Sequence, residues 1–176
     1  MDCEGPVTVY LGVGSNIDPE RNVPRALELL RRVVTVTGVS TFYQTPPLDR
    51  PEQAPFYNGA VQCQTNIPLP ELKRRVLRKI EAELGRVRTT DKHAARPIDL
   101  DVLLYGDAVT CDEGGRVPDP DIGARPFLAV PLLELAPDLV LPDSRTPLQA
   151  LVAPMDATAM TPLPEFSERL ELKEPT

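Results

Sequence analysis

Apolar and polar positions alternate most regularly between residues 98 and 104. Ile98, Leu100, Val102 and Leu104 are interleaved with Asp99, Asp101 and Leu103. Residues two apart on a strand share a face, so this spacing predicts a strand with the Ile98 set turned into a core. Asp99 and Asp101 then stand side by side on the other face. Three further stretches read as strands: Val7 to Val13, Thr35 to Tyr43 and Phe56 to Thr65. Helical spacing recurs twice. Ala26, Leu27, Leu29, Leu30 and Val33 predict a helix that opens near Asp18-Pro19 and runs to about Val34. Leu69, Leu72, Val76, Leu77, Ile80 and Leu84 predict a second, with Gly85 placed to stop it. Beyond these lie a short hairpin over Asp112–Gly115, a third helix at about Phe127 to Leu135, and a last helical turn at Leu148 to Val152.

The order β-α-β-β-α-β predicts an α+β fold on the ferredoxin-like plan. Its sheet is antiparallel with helices covering one face, plus the extra hairpin and the C-terminal helices. That plan brings the first and fourth strands together and places Gly14-Ser15 near Asp99 and Asp101. No internal repeat is visible. Residues 1–153 read as one domain. From Pro154 onward the chain is rich in Pro, Glu, Ser and Thr, so residues 154–176 are expected to be a weakly ordered tail.

Composition narrows the function classes. Nineteen basic against 26 acidic residues give a net charge of −7, which argues against broad nucleic-acid binding. An RNA-binding module can be built on the same strand order, but the strands here lack its interleaved aromatic residues. The 21 prolines and the absence of Trp are unusual, and proline at that level points to a loop-rich fold or a stability-biased source. Three scattered cysteines, Cys3, Cys63 and Cys111, suit neither a zinc site nor a disulfide framework, and they fit a reduced, cytoplasmic setting. No apolar run approaches the roughly 18 residues of a membrane span, and no signal-peptide order opens the chain. His93 is the sole histidine, and no nucleophile elbow accompanies it.

Two adjacent carboxylates repel each other and stay ionised together only with a cation between them. Four cationic side chains, Arg86, Arg88, Lys92 and Arg96, come just before Asp99 and Asp101. Carboxylates for a divalent metal beside basic groups for anionic oxygens make the composition of a nucleotide triphosphate site. Read alone, the same residues suit an edge strand with a solvated acidic face and a basic loop that aids solubility.

Five stretches together resemble one family, the 6-hydroxymethyl-7,8-dihydropterin pyrophosphokinases of folate biosynthesis. They are Tyr10 to Asn16; Phe42 to Leu48; Phe56 to Val61; Ile80-Glu81 through Arg86-Val87-Arg88 to Arg96-Pro97-Ile98-Asp99-Leu100-Asp101; and Val117-Pro118 through Arg125-Pro126-Phe127 to Pro137. Each is weak alone, but all five occur in the family's order with matching gaps. The resemblance implies the ferredoxin-like fold and transfer of the β,γ-diphosphate of ATP to the hydroxymethyl oxygen of the pterin, with AMP released. It implies two Mg²⁺ ions held by Asp99 and Asp101, and Arg86 and Arg96 as further catalytic residues. It places Glu81, Arg88, Lys92, His93, Ile98 and Arg125 in the ATP site. Thr45, Pro46, Leu48, Phe56, Asn58 and Phe127 fall in the pterin site. The partners so implied are the two small substrates alone, acted on by a monomer without nucleic acid or membrane.

A pterin is flat, aromatic and edged with donors and acceptors, so it calls for ring faces and an amide. Phe56, Phe127 and Asn58 supply them. Three departures from the family pattern stand out. His93-Ala94-Ala95 replaces a usual Trp-Gly-Pro, Asp119 replaces a usual His, and Arg78 replaces a usual polar amide. They predict weaker ATP binding, and a catalytically silent relative that still binds pterin and nucleotide is the alternative reading.

Overall fold

A computed structural model describes residues 5–113 and 115–171 of the chain. The elements begin with β1 (Val7–Ser15), α1 (Pro19–Arg31), β2 (Thr35–Val39), β3 (Tyr43–Thr45) and β4 (Phe56–Thr65). One continuous helical rod follows: α2 (Leu69–Glu71), a π-helical segment (Leu72–Leu77) and α3 (Arg78–Glu83). Then come β5 (Asp99–Tyr105), the hairpin β6 (Thr110–Asp112) and β7 (Gly115–Val117), and a 3-10 turn (Pro120–Gly123). The chain closes with α4 (Pro126–Leu135), α5 (Leu148–Val152), β8 (Thr161–Pro162) and α6 (Pro164–Leu170).

The main sheet runs β5-β1-β4-β3-β8, with β2 also paired to β4, and every pairing is antiparallel. Taking β2 and β3 as one interrupted strand, the order is fourth, first, third, second, as the βαββαβ plan requires. The expected single strand from Thr35 to Tyr43 is broken at Ser40–Phe42. Phe42 leaves the edge and is fully buried against Gly59, where an added Cβ would stand 2.5 Å from its ring. Ser40 Oγ takes over the vacated ladder position by accepting the Ala60 N–H at 2.8 Å.

Helices cover both faces of the sheet, not one. On one face Val9, Leu11, Val13, Val61, Cys63, Leu100 and Val102 pack with α1, the α2–α3 rod and α6. On the other, Leu103, Leu104, Ala129, Leu132 and Leu148 form a second core with α4 and α5. A β-bulge sets this division. Tyr10 pairs with Leu104 but Leu11 pairs with Val102, so Leu103 is the extra residue. One extra residue inverts the alternation beyond it. Leu104 therefore joins Leu103 in the second core, and Tyr105 turns back to donate its hydroxyl to Ile67 O. Ile98, Leu100 and Val102 lie in the first core as expected.

The last part of the chain is built in, contrary to the expectation of a loose tail from Pro154. β8 pairs with β3, and Phe166 and Leu170 are buried within the first core. Phe166 meets the Phe42 and Tyr57 rings edge-on at 5.7 and 5.1 Å. Ser167 Oγ accepts the Phe42 N–H at 2.8 Å, which ties α6 to the break in the edge strand. Residues 172–176 of the expected tail lie outside the described residues. α1 ends at Arg31, so Val33, expected inside, is half exposed.

Candidate functional site

The sheet face that carries Asp99 and Asp101 is floored by the glycines of β1. Gly14 pairs with Asn58 on β4 and with Asp99 on β5, and Gly12 pairs with Ala60 and Asp101. Without side chains at these two positions a cleft of about 410 Å³ opens over the floor. Thr45, Pro46, Leu48, Phe56, Asn58 and Phe127 all line it, together with Lys92, His93, Arg96, Asp99, Asp101 and Arg125. Twelve of the expected site residues thus converge on one space. Asn58 is buried and donates to Thr45 Oγ1 at 2.8 Å, which orients its amide. Phe56 at the head of β4 and Phe127 in the first turn of α4 approach from opposite elements.

Asp101 borders two further cavities. One, of about 270 Å³, is walled by Arg86, Arg88, Lys92 and Arg96 of the basic loop. The other, of about 230 Å³, lies between Leu77, Arg78, Val102, Arg116 and Pro120, and shares Asp119 with the main cleft. The carboxylates therefore stand at a three-way junction: an aromatic slot, a cationic pocket, and a pocket with both apolar and cationic walls.

The electrostatics at the junction are uneven. Asp99 is clamped: Arg86 Nη1 bonds Oδ1, and Arg96 Nη1 bonds Oδ2 at 2.8 Å. Arg96 is itself held by its backbone N–H to Asn16 Oδ1 at 2.8 Å and its Nε to Ala94 O at 3.1 Å, with a further bond to Lys92 O. Burial works against the Arg86 charge, but Asp99 and Glu81 outweigh it, so its pKa lies above the ordinary value. Asp101 has no such clamp among the described residues. Partial loss of hydration, then the charges of Asp99, Asp119 and Glu81, push it up to about 7 against the opposing pull of Arg86. Asp101 as a residue remains exposed. Asp119 is also raised, chiefly by burial, against the hydrogen bond it accepts from the Asp121 N–H.

A carboxylate crowded by other carboxylates, with only the Arg86 charge to offset them and no ion pair of its own among the described residues, is a fit place for a divalent metal. Among the described residues no three His, Cys, Asp or Glu side chains form a metal cage. Mg²⁺ is usually held by one or two carboxylates while substrate phosphates and waters complete its shell, and Asp99 and Asp101 are two neighbouring carboxylates of that kind. The donor set is therefore compatible with the expected metal.

Two expected ATP-site residues do not face the cavities. Glu81 is 2% exposed, and both its oxygens are taken within the protein. Oε1 accepts Arg86 Nη1 at 2.7 Å and the Leu100 N–H at 2.9 Å, and Oε2 accepts Arg88 Nη2 at 2.8 Å. It joins α3 to β5 and holds two arginines. The Ile98 side chain is fully buried in the first core because it lies on the opposite face from Asp99, and only its carbonyl meets Arg86, at 3.3 Å.

Asn16 and Gln53 were not singled out by the sequence. Asn16 receives the Arg96 N–H and donates to Gln53 Oε1 at 3.2 Å and Ala54 O at 3.3 Å. It thus joins the end of β1 to both loops that border the cleft. The one available signal was a polar amide directly after the glycine-bearing strand.

The chain is similar to known proteins of one family. A family model described as 7,8-dihydro-6-hydroxymethylpterin-pyrophosphokinase (HPPK) matches residues 10–137. The 2-amino-4-hydroxy-6-hydroxymethyldihydropteridine pyrophosphokinase of Haemophilus influenzae is 36% identical over 143 residues, covering 79% of this chain and 88% of that protein. The enzyme of the same name from Methylorubrum extorquens is 41% identical over 135 residues, covering 75% and 84%. Folic acid synthesis protein fol1 of Schizosaccharomyces pombe is 38% identical over 143 residues, 80% of this chain but 19% of its own length. Among solved structures, a Plasmodium falciparum HPPK-DHPS triple mutant matches with a TM-score of 0.66 at 14% identity. That match covers 86% of this chain and 45% of the other, and it speaks to the fold. No helix among the described residues is long and apolar enough to cross a membrane.

Proposed function

Because the chain belongs to the HPPK family, pyrophosphokinases of folate synthesis, we propose that it transfers the β,γ-diphosphate of ATP to the hydroxymethyl oxygen of 6-hydroxymethyl-7,8-dihydropterin, releasing AMP. The carrying observation is the junction at Asp101, where an aromatic slot with a buried amide meets a pocket of four cations. The pterin ring fits the slot between Phe56 and Phe127, with the Asn58 amide and Thr45 on its polar edge. The triphosphate fits beside Arg86, Arg88, Lys92 and Arg96, and the base fits the pocket between Leu77 and Pro120.

Asp99 and Asp101 would hold Mg²⁺, which supplies charge neutralisation at the phosphate oxygens when bound. Arg86 and Arg96, which now neutralise Asp99, are placed to exchange that carboxylate for phosphate oxygens. Lys92 and Arg125 reach the cleft and have no ion-pair partner among the described residues. Phosphoryl transfer needs mainly positioning and charge stabilisation, and no protein nucleophile is required. A monomer acting in the cytoplasm on these two small molecules is the simplest setting for this chemistry.

AMP formation from ATP, followed with and without the hydroxymethyl pterin and with and without Mg²⁺, tests the reading. AMP is expected only when pterin, ATP and Mg²⁺ are all present. A protein that binds both substrates yet forms no AMP is a silent relative, and the reading fails.

A further inference from the structure

Two loops face each other across the mouth of the cleft, the proline-rich segment 46–55 and the basic segment 86–98. They meet at two points. Arg50 Nη2 lies 2.7 Å from Asp91 Oδ2, and Gln53 Nε2 donates to His93 O at 2.8 Å. The other Asp91 oxygen, Oδ1, accepts the His93 N–H at 3.0 Å. One carboxylate therefore folds the turn that presents Lys92 and His93 to the cleft and also grips the opposite loop. Arg50 has only a longer second contact, to Glu52 at 3.7 Å. Both members of the Arg50–Asp91 pair are 40% exposed; neither lines the aromatic slot, Arg50 lines neither space, and Asp91 forms part of the wall of the cationic pocket.

An exposed ion pair contributes little to the stability of a fold. Its effect differs where each partner sits on a separate loop and each loop contacts a different substrate. We infer that Arg50 and Asp91 are positioning residues that couple the two substrate sites. A flat heterocycle in the slot orders segment 46–55 and fixes Arg50. Arg50 then holds Asp91, and through its Oδ1 the turn whose Lys92 borders both the aromatic slot and the cationic pocket. Coupling of this kind is reciprocal, so a nucleotide on the basic loop tightens the heterocycle to the same degree. The inference rests on the reading that pterin and ATP occupy these two loops.

The test measures dissociation constants for the hydroxymethyl pterin and for a non-hydrolysable ATP analogue with Mg²⁺, each alone and each in the presence of the other. In the unaltered protein each ligand is expected to tighten the other. Arg50→Ala should lower that coupling factor about threefold, the size of an exposed ion pair, while leaving both single-ligand constants unchanged. Asp91→Asn keeps an acceptor for the His93 N–H while removing the charge; because Asp91 lines the cationic pocket it should tighten the nucleotide alone, yet lower the coupling factor as Arg50→Ala does. The double variant should lose no more, and Arg50→Lys should recover most of the loss. An unchanged factor in Arg50→Ala overturns the inference. So does an unaltered protein that binds both ligands without mutual tightening. Failure of the unaltered protein to bind either ligand overturns the functional reading itself.

Discussion

Gly14 shows how much of the site depends on a missing side chain. A Cβ there would stand 2.7 Å from Asn58 Oδ1 and 3.8 Å from the Phe56 ring. Gly14→Ala should displace the amide and weaken pterin binding about tenfold, roughly 1.4 kcal/mol, by calorimetry. Unchanged affinity would contradict the placement of the slot. Asp101 carries the opposite problem, a charge without a partner. Its folded pKa of about 7 lies above the ordinary carboxylate value, so the folded state holds its proton longer than the unfolded chain does. Its contribution then disfavours folding increasingly as pH rises from about 4 through 7. In chelator, Asp101→Asn should melt higher than the unaltered protein at pH 8, and the gap should close toward pH 4. A gap independent of pH would contradict this account. Glu81 is, with Ile98, one of the two expected site residues whose side chains turn away from the cavities. Its helix shows the expected apolar spacing, but spacing alone does not reveal that a polar position has turned inward. Val76-Leu77 and, one turn on, Ile80-Glu81 share the buried side, and three protein donors make burial of that carboxylate tolerable.

At the scale of elements, alternation correctly put Asp99 and Asp101 on one face of β5 because that half of the strand is regular. It failed at Leu104 because a bulge is one residue of register, and no composition change marks it. The expected loose tail failed for a related reason. Prolines and charges dominate residues 154–171, and the apolar positions that matter, Leu163, Phe166 and Leu170, are few. Their partners, Phe42 and Tyr57, are distant in sequence, so no local pattern links them. Phe166→Ala removes a ring that packs on both and should cost about 3 kcal/mol of stability in denaturant unfolding. A loss no larger than that of a surface substitution would return the segment to the status of a tail. The five family stretches were legible because each carries side chains or backbone that meet at the cleft, however far apart they lie in the chain.

The whole molecule is acidic, yet a short segment from Arg86 to Arg96 brings four cations to the one place where carboxylates also meet. A pathway for a polyanion and a divalent cation is thus set within a surface that repels polyanions elsewhere. The β-α-β-β-α-β plan makes this juxtaposition by placing β5 beside the glycine strand β1, with β4 carrying Asn58 and Phe56 on the other side. Everything proposed for the chemistry depends on Asp99 and Asp101 acting as the metal-holding pair. The most direct measurement is AMP formation with the hydroxymethyl pterin and Mg²⁺ for Asp99→Ala and Asp101→Ala beside the unaltered protein, with folding checked by circular dichroism. Both variants should keep the fold and lose AMP formation by at least a hundredfold, about 2.7 kcal/mol of transition-state stabilisation. Full Mg²⁺-dependent turnover in either variant would contradict the account.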